Sequence, residues 1–194
     1  MSSSPTLHLQ IGTSILTLVC GDITLQDTDV IVNAANSGLL GGVGVDGAIH
    51  RAGGPAILDE CRGIRARQGG CLTGEAVITT AGRLRAKKVV HTVGPVWQGG
   101  GADEDRLLAN AYRNSLSLAE EHGMKSVAFP SISTGVYGFP LERASLIAFH
   151  TVRTFLEEHP SVREVRFVTF TSDDFDVYAR LFKPDAGQAK ALPR

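Results

Sequence analysis

The stretch V-I-V-N-A-A-N-S-G-L-L-G-G-V-G-V-D-G-A-I-H-R-A-G-G, from Val30 to Gly54, decides how this chain is read. Val30, Ile31 and Val32 form the short β-branched run expected of a strand buried on both faces. The run ends in two asparagines, Asn33 and Asn36. A loop with Gly38, Gly41, Gly42, Gly44 and Gly47 follows and holds one carboxylate, Asp46. Glycine lets backbone approach a ligand closely and turn successive N–H groups towards it, which suits phosphate oxygens. The amide and carboxylate side chains suit sugar hydroxyls. The combination points to a nucleotide diphosphate with a ribose beside it.

Two familiar phosphate motifs are tested and set aside. Gly42-Val43-Gly44-Val45-Asp46-Gly47 spells G-x-G-x-x-G, but its glycines begin well after the strand. The region ~20 residues on reads as helix rather than as a second strand ending in an acid. No G-x-x-x-x-G-K-[ST] occurs, so a P-loop is unsupported. Working outward, Leu7 to Gly12, Ser14 to Cys20, Asp29 to Asn33, Glu75 to Thr80, Lys88 to Val93, Ser126 to Pro130 and Val165 to Phe170 read as strands. Asp46 to Ala52, Pro55 to Gln68, Asp103 to His122, Leu141 to Glu158 and Asp174 to Phe182 read as helices. Leu108, Tyr112, Leu116 and Ala119 form one apolar stripe, with Gly123 placed to end that helix. Alternating strands and helices predict a three-layer α/β/α sandwich around a mixed, largely parallel sheet.

At 194 residues the chain reads as one domain with a real core, spanning 7–183 between flexible ends at 1–6 and 184–194. A hydrophobic content of 43%, a charged content of 20% and a net charge of −1 give no global field for bulk nucleic acid. No apolar run approaches the ~18 residues of a membrane span, and the start is short and polar, without a signal-peptide core. Cys20, Cys61 and Cys71 lack C-x-x-C spacing, so buried free thiols in a reducing, cytoplasmic setting are expected rather than a zinc site.

Ligands of open α/β sheets gather beyond the carboxyl ends of the strands. That rule brings the loops after Val32, Val93, Pro130 and Phe170 to one cleft. Two of these loops carry chemistry: Asn33 to Gly47, and Ser131-Ile132-Ser133-Thr134-Gly135-Val136-Tyr137-Gly138. Two glycine loops at one end of a sheet suggest a ligand with two phosphates.

Taken in order, Asp22 in G-D-I-T, V-N-A-A-N, V-D-G-A-I-H, V-V-H-T-V-G-P-V-W and S-I-S-T-G-V-Y-G-F-P closely resemble the macro domains. The similarity is strongest to the MacroD-type branch that removes ADP-ribose marks, and it spans about residues 8 to 183. The resemblance implies that Asp22, helped by the Ile23 backbone, takes the adenine amine and that Phe170 lies against the adenine ring. It implies that Gly42, Val43, Gly44 and Val45, with Ser133, Thr134, Gly135, Val136 and Tyr137, clamp the diphosphate. Asn33, Asn36 and Asp46 would surround the distal ribose, with Tyr137 closing over it and Asp46, Asn36 and Tyr137 serving catalysis. The family loop commonly has four glycines in a row, whereas Val43 holds the third place here. Its side chain either narrows the phosphate approach or points to solvent.

Each assignment has a plainer counterpart. Asp46 precedes a helix and suits a cap, the asparagines suit a turn, and an aromatic at a strand end suits a core. Trp97 reads as packing or rim, and His50 and His91 as structural. The resemblance implies a hydrolase that releases mono-ADP-ribose from protein Asp or Glu side chains and deacetylates O-acetyl-ADP-ribose. Its partners would be ADP-ribose and its esters, mono-ADP-ribosylated proteins included, with neither metal nor cofactor. Water is either deprotonated by Asp46 or oriented by a ligand phosphate. The alternative is a module that binds ADP-ribose without turning it over.

Overall fold

The computed structural model describes residues 6–183, so most of the two ends read as flexible, 1–5 and 184–194, lies outside the described residues. The chain runs β1 (Thr6–Ile11), β2 (Ser14–Cys20), β3 (Val30–Ala34), α1 (Gly44–Gly53), α2 (Pro55–Gln68), β4 (Ala76–Thr80), β5 (Lys88–Thr92) and α3 (Glu104–Glu121). It continues through β6 (Ser126–Phe129), α4 (Leu141–Glu158), β7 (Glu164–Thr169) and α5 (Ser172–Ala179). Short 3-10 turns lie at Ile23–Leu25, not foreseen from sequence, and at Arg180–Phe182, within the helix expected over Asp174 to Phe182. One seven-stranded sheet has the order β1-β2-β7-β6-β3-β5-β4. Its five inner strands are parallel, and β1 and β4 add antiparallel edges.

β3 occupies the middle of the fold because its sequence is apolar towards both faces. Val30 and Val32 join the core under α3, α4 and α5, whereas Ile31 joins the core under α1 and α2. All three are fully buried, worth about 1.5–3 kcal/mol each relative to exposure. The stripe Leu108, Tyr112, Leu116 and Ala119 is likewise fully buried, as its spacing requires. The chain returns from β3 through two helices to β5 on one side, then through α3 to β6 on the other. This reversal opens a crevice beyond the carboxyl end of β3.

Helix α1 corrects one reading. It begins at Gly44, two residues before Asp46, and its N-cap is Val43, whose side chain makes no cap hydrogen bond. Asp46 therefore lies inside the first turn, and its carboxylate bonds elsewhere. Helix α3 likewise opens from Asp103 in a left-handed conformation without a side-chain cap.

The segment before α3 is organised by Glu104. Its buried carboxylate accepts backbone N–H bonds from Gln98 (3.0 Å), Gly100 (3.0 Å) and Ala102 (2.6 Å). Burial pushes its pKa up, but the backbone donors outweigh that and bring it from 4.5 down to about 2. A carboxylate whose folded pKa is depressed stabilises above the unfolded value and loses the effect as pH falls through the folded one. Glu104→Gln should therefore melt below the parent at neutral pH. The gap should narrow between pH 4.5 and about 2 in thermal scans.

Candidate functional site

Five strand-end loops enclose a cleft of about 620 Å³ above the carboxyl edge of the sheet. Gly21 to Ile23 follow β2, Asn36 and Gly42 to Asp46 follow β3, Gly94 follows β5, Pro130 to Tyr137 follow β6, and Phe170 follows β7. The volume is within the usual range for a small-molecule site.

At one end, Asp22 Oδ1 caps the Ile23–Leu25 turn, accepting from Thr24 N (2.8 Å) and Thr24 Oγ1 (2.7 Å). Its second oxygen has no hydrogen bond among the described residues. Phe170 stands 81% exposed at the cleft wall, which removes the core reading of this aromatic. Ile23 is buried beside them.

The middle is built from backbone. Because Val43 supplies no capping side chain, the first N–H groups of α1 remain free where the helix dipole is positive, an arrangement suited to anions. Val43 itself has φ −99°, open to any L-residue, and its side chain is 76% exposed. Of the two orientations weighed from sequence, the solvent-facing one is observed. Gly47 must be glycine, because a Cβ there would lie 2.5 Å from the Gly42 carbonyl oxygen. The facing loop turns at Ser133, a buried non-glycine residue at φ +67° whose Oγ lacks a partner. Strain and an unpaired polar atom of this kind concentrate at functional sites.

Tyr112 and Tyr178 hold that loop from below. Tyr112 Oη donates to Pro130 O (3.4 Å) and accepts from Ile132 N (3.2 Å), and Tyr178 Oη pairs with Ser131 Oγ at 3.1 Å. Burial raises both phenol pKa values, so the hydroxyls keep their protons. Tyr137 is half-buried against the cleft, and its carbonyl accepts from Trp97 N (2.9 Å). Trp97 packs on Phe139 with ring centroids 4.6 Å apart.

At the far end, Asn36 Nδ2 donates to Gly41 O (2.9 Å), so this side chain both shapes the loop and lines the cleft. Asp46 is 5% exposed and lines the cleft too. Its Oδ1 accepts from Asn33 Nδ2 at 2.7 Å and lies 3.3 Å from His50 Nε2. Its Oδ2 faces Gly42 and has no hydrogen bond among the described residues. Asn33 is placed differently from Asn36: it is fully buried beneath the cleft, does not line it, and meets the site through Asp46.

Several features of the site were not read from the sequence. Arg51 is the single cation among the cleft-lining residues, set against Asp22, Asp46 and Asp174. Its position five residues after Asp46 in α1 was the available signal. His50, Cys61 and His91 each bring a ligand-capable atom within 4.8 Å of the others, although their sequence spacing suggests no cluster. Both His91 ring nitrogens are already engaged, with Asn33 Nδ2 at 3.0 Å and Thr79 Oγ1 at 2.9 Å. Burial, with Asp46 and Glu60 adding, pushes the Cys61 thiol up to about 11, so it stays protonated.

A mixed, largely parallel sandwich with a glycine-lined crevice at the reversal of strand order defines an α/β ligand-binding domain. The macro domain family matches residues 32–148, and the chain belongs to that family. It is 58% identical to a macro domain-containing protein of Caldanaerobacter subterraneus subsp. tengcongensis, over 86% of this chain and 94% of that one. It is 59% identical to an O-acetyl-ADP-ribose deacetylase of Cronobacter sakazakii, over 86% and 92%. The Oceanobacillus iheyensis macrodomain with ADP superposes with a TM-score of 0.89 at 44% identity, over 92% of this chain and 95% of that one. Structures of that macrodomain include asparagine-to-alanine and aspartate-to-alanine variants and a glycine-to-valine variant with ADPR. A Trypanosoma brucei macrodomain in complex with ADP-ribose gives a TM-score of 0.80 at 43% identity, over 87% and 69%.

The anchor beneath the second loop is testable alone. Tyr112→Phe leaves the buried Ile132 N–H without its acceptor, which should cost about 1–3 kcal/mol. Chemical denaturation of the parent and variant measures it.

Proposed function

We propose that this chain binds ADP-ribose and hydrolyses its esters, O-acetyl-ADP-ribose and mono-ADP-ribose carried on protein Asp or Glu side chains. The observation that carries the reading is the asymmetric Asp46 carboxylate. One oxygen is held by Asn33, and the other stands unpaired beside the glycine loop. A module that only binds needs no such acid. The relatives named O-acetyl-ADP-ribose deacetylase support the ester reaction. In the Oceanobacillus iheyensis macrodomain the substituted asparagine, glycine and aspartate are spaced seven and three residues apart. Asn36, Val43 and Asp46 have the same spacing. The ADPR-bound glycine-to-valine variant supports a loop that accepts valine at the Val43 position and still receives the ligand.

The cleft fits this ligand part by part. The free oxygen of Asp22 accepts the adenine amine, and the exposed Phe170 ring covers the base. The uncapped start of α1, the Gly42 to Val45 backbone and the Ser133 to Tyr137 loop take the diphosphate. Asn36 and Asp46 reach the distal ribose, over which Tyr137 closes. Asn33 acts by holding Asp46.

Ester hydrolysis needs an activated water and stabilisation of oxyanion charge. Asp46 Oδ2 takes a proton from water as that water attacks the acyl carbon. The acyl–oxygen bond to the ribose then breaks, and the ribose oxygen leaves as a hydroxyl by taking that proton back from Asp46, which returns to its carboxylate form. Acetate or the freed side-chain carboxylate is the second product. Nothing in this sequence of steps calls for a metal or a cofactor, so turnover should persist in EDTA. A cleft of about 620 Å³ suits a ligand of ADP-ribose size rather than a polymer track, and a net charge of −1 offers no field for bulk nucleic acid. Among the described residues no helix is long and apolar enough to cross a membrane. A cytoplasmic setting suits three free thiols.

Calorimetry should show ADP-ribose binding well ahead of AMP, and Asp22→Ala should lose about 1.5–3 kcal/mol of that affinity. Equal affinities for AMP and ADP-ribose would remove the distal half of the site. With O-acetyl-ADP-ribose or a glutamate-linked mono-ADP-ribosylated protein, Asp46→Ala should lose about 10²-fold or more in kcat while still binding ADP-ribose. Full turnover by this variant would return Asp46 to a structural role.

A further inference from the structure

A buried polar row crosses three neighbouring strands under the cleft. Asn33 and His91 are paired positions on β3 and β5, and Thr79 lies diagonally across on β4. All three point to the side covered by α1 and α2, as the two-residue pleat dictates from Ile31, Val89 and Val77. Asn33 and His91 are fully buried and Thr79 is 1% exposed, so bulk water does not satisfy them.

The hydrogen-bond directions in this row determine one another. Thr79 Oγ1 donates its only proton to Thr80 O at 2.9 Å. It is then free to accept from His91 Nε2 at 2.9 Å, where the Cys61 sulfur also lies at 3.7 Å, and both contacts suit an imidazole proton on Nε2. His91 Nδ1 is then a lone-pair acceptor and takes one proton of Asn33 Nδ2 at 3.0 Å. The other Nδ2 proton goes to Asp46 Oδ1 at 2.7 Å. Burial, with His50 adding, lowers the His91 pKa to about 3, so the ring stays neutral and the row keeps its sense. The Asn33 amide is thereby fixed with nitrogen, not oxygen, towards the carboxylate. Rotated, it would set an oxygen against Asp46.

We propose that His91, with Thr79 behind it, is a positioning residue for hydrolysis: it locks the Asn33 amide as the donor that aims Asp46 at the distal end of the cleft. This rests on the hydrolase reading above. His91 does not line the cleft, and it acts through Asn33, its ring also lying 5.9 Å from that of His50. Sequence alone gave it a structural role without a partner, because the strand register that pairs it with Asn33 is a property of the fold.

The test uses the intact chain, O-acetyl-ADP-ribose as substrate and ADP-ribose as ligand. With ring-labelled histidine, nitrogen NMR should find His91 as the Nε2–H tautomer. His91→Leu should lower kcat about tenfold or more while ADP-ribose affinity changes less than about twofold. His91→Asn, whose side-chain oxygen falls near the Nδ1 position and accepts from Asn33, should recover most of the lost kcat. A purely packing role predicts no such rescue. An Nδ1–H tautomer, wild-type kcat in His91→Leu, or equal losses in the Leu and Asn variants would each overturn the proposal. If His91→Leu does not fold, Thr79→Val decides: it should mix the tautomers and lower kcat, and leaving both unchanged overturns the proposal. A parent protein that binds ADP-ribose without releasing acetate sinks the hydrolase reading and this one with it. Parent turnover with an indifferent His91→Leu sinks the positioning role alone.

Discussion

A strand buried on both faces has to surrender its chain to the surface at one end, and the placement of β3 makes that end the site. With Val30 and Val32 committed to one helical layer and Ile31 to the other, β3 has no freedom to shift register by a single residue. Its neighbours β5 and β6 arrive by separate crossovers on opposite sides. Their following loops therefore diverge, and the gap between them is the cleft. The same pleat that buries Ile31 turns Asn33 inward beneath the cleft, where an amide must find partners or impose a penalty. Its nitrogen finds them in Asp46 and His91, while its oxygen stays buried without a partner among the described residues. The carboxylate that faces the cleft is thus tied to the core by the strand that created the opening.

A diphosphate is dianionic, yet three acids and one arginine line this cleft. For the proposed diphosphate, attraction between formal charges is therefore a poor account of binding. Backbone is the better one: an uncapped helix start and a loop turned back on itself present N–H groups without bringing cations that would also draw other anions. Such donors act only where the backbone is held. Tyr112 and Tyr178 hold the second loop from the core, and Glu104 gathers the Gln98 to Ala102 segment next to Trp97, whose N–H reaches the Tyr137 carbonyl. Residues remote from the cleft thus hold the backbone that lines it.

Periodicity carried the fold well. The β-branched run of β3, the stripe on α3 and the Gly-terminated helices are local patterns, and local patterns survive in sequence. The 3-10 turn at Ile23–Leu25 did not, because three residues leave no period to detect. Cleft residues on loops were legible where composition was unusual, as in the glycine runs, Asp22 and Asp46. Asn33 and Asn36 look alike in V-N-A-A-N, but one lies on the strand and obeys its pleat while the other lies past its end. Tyr112 was read as one more member of an apolar stripe, and only its hydroxyl, meeting a loop from elsewhere in the chain, gives it a second task. The role of Asp46 as a cap failed for a related reason. A cap is defined by where the helix starts, and α1 starts at Gly44, two residues before Asp46.

The two glycine loops show that conformation, rather than composition, sets what the site tolerates. Val43 interrupts a run of glycines at a position with an ordinary negative φ, and its side chain projects into solvent. The run is therefore less uniform than it looks: Gly41 and Gly44 take the left-handed φ values, and Gly47 takes the close contact. Ser133 shows the opposite case, holding φ +67° with a side chain that gains no hydrogen bond in return. Strain of about 1–3 kcal/mol persists only when surrounding structure over-determines it. The surroundings qualify, since Ser133 O accepts from Phe139 N at 3.0 Å and the Tyr112 hydroxyl fixes the preceding residue. The core thus holds a serine where glycine would be easier, and the feature glycine lacks is a buried, unpaired hydroxyl set over Gly94 beside the cleft.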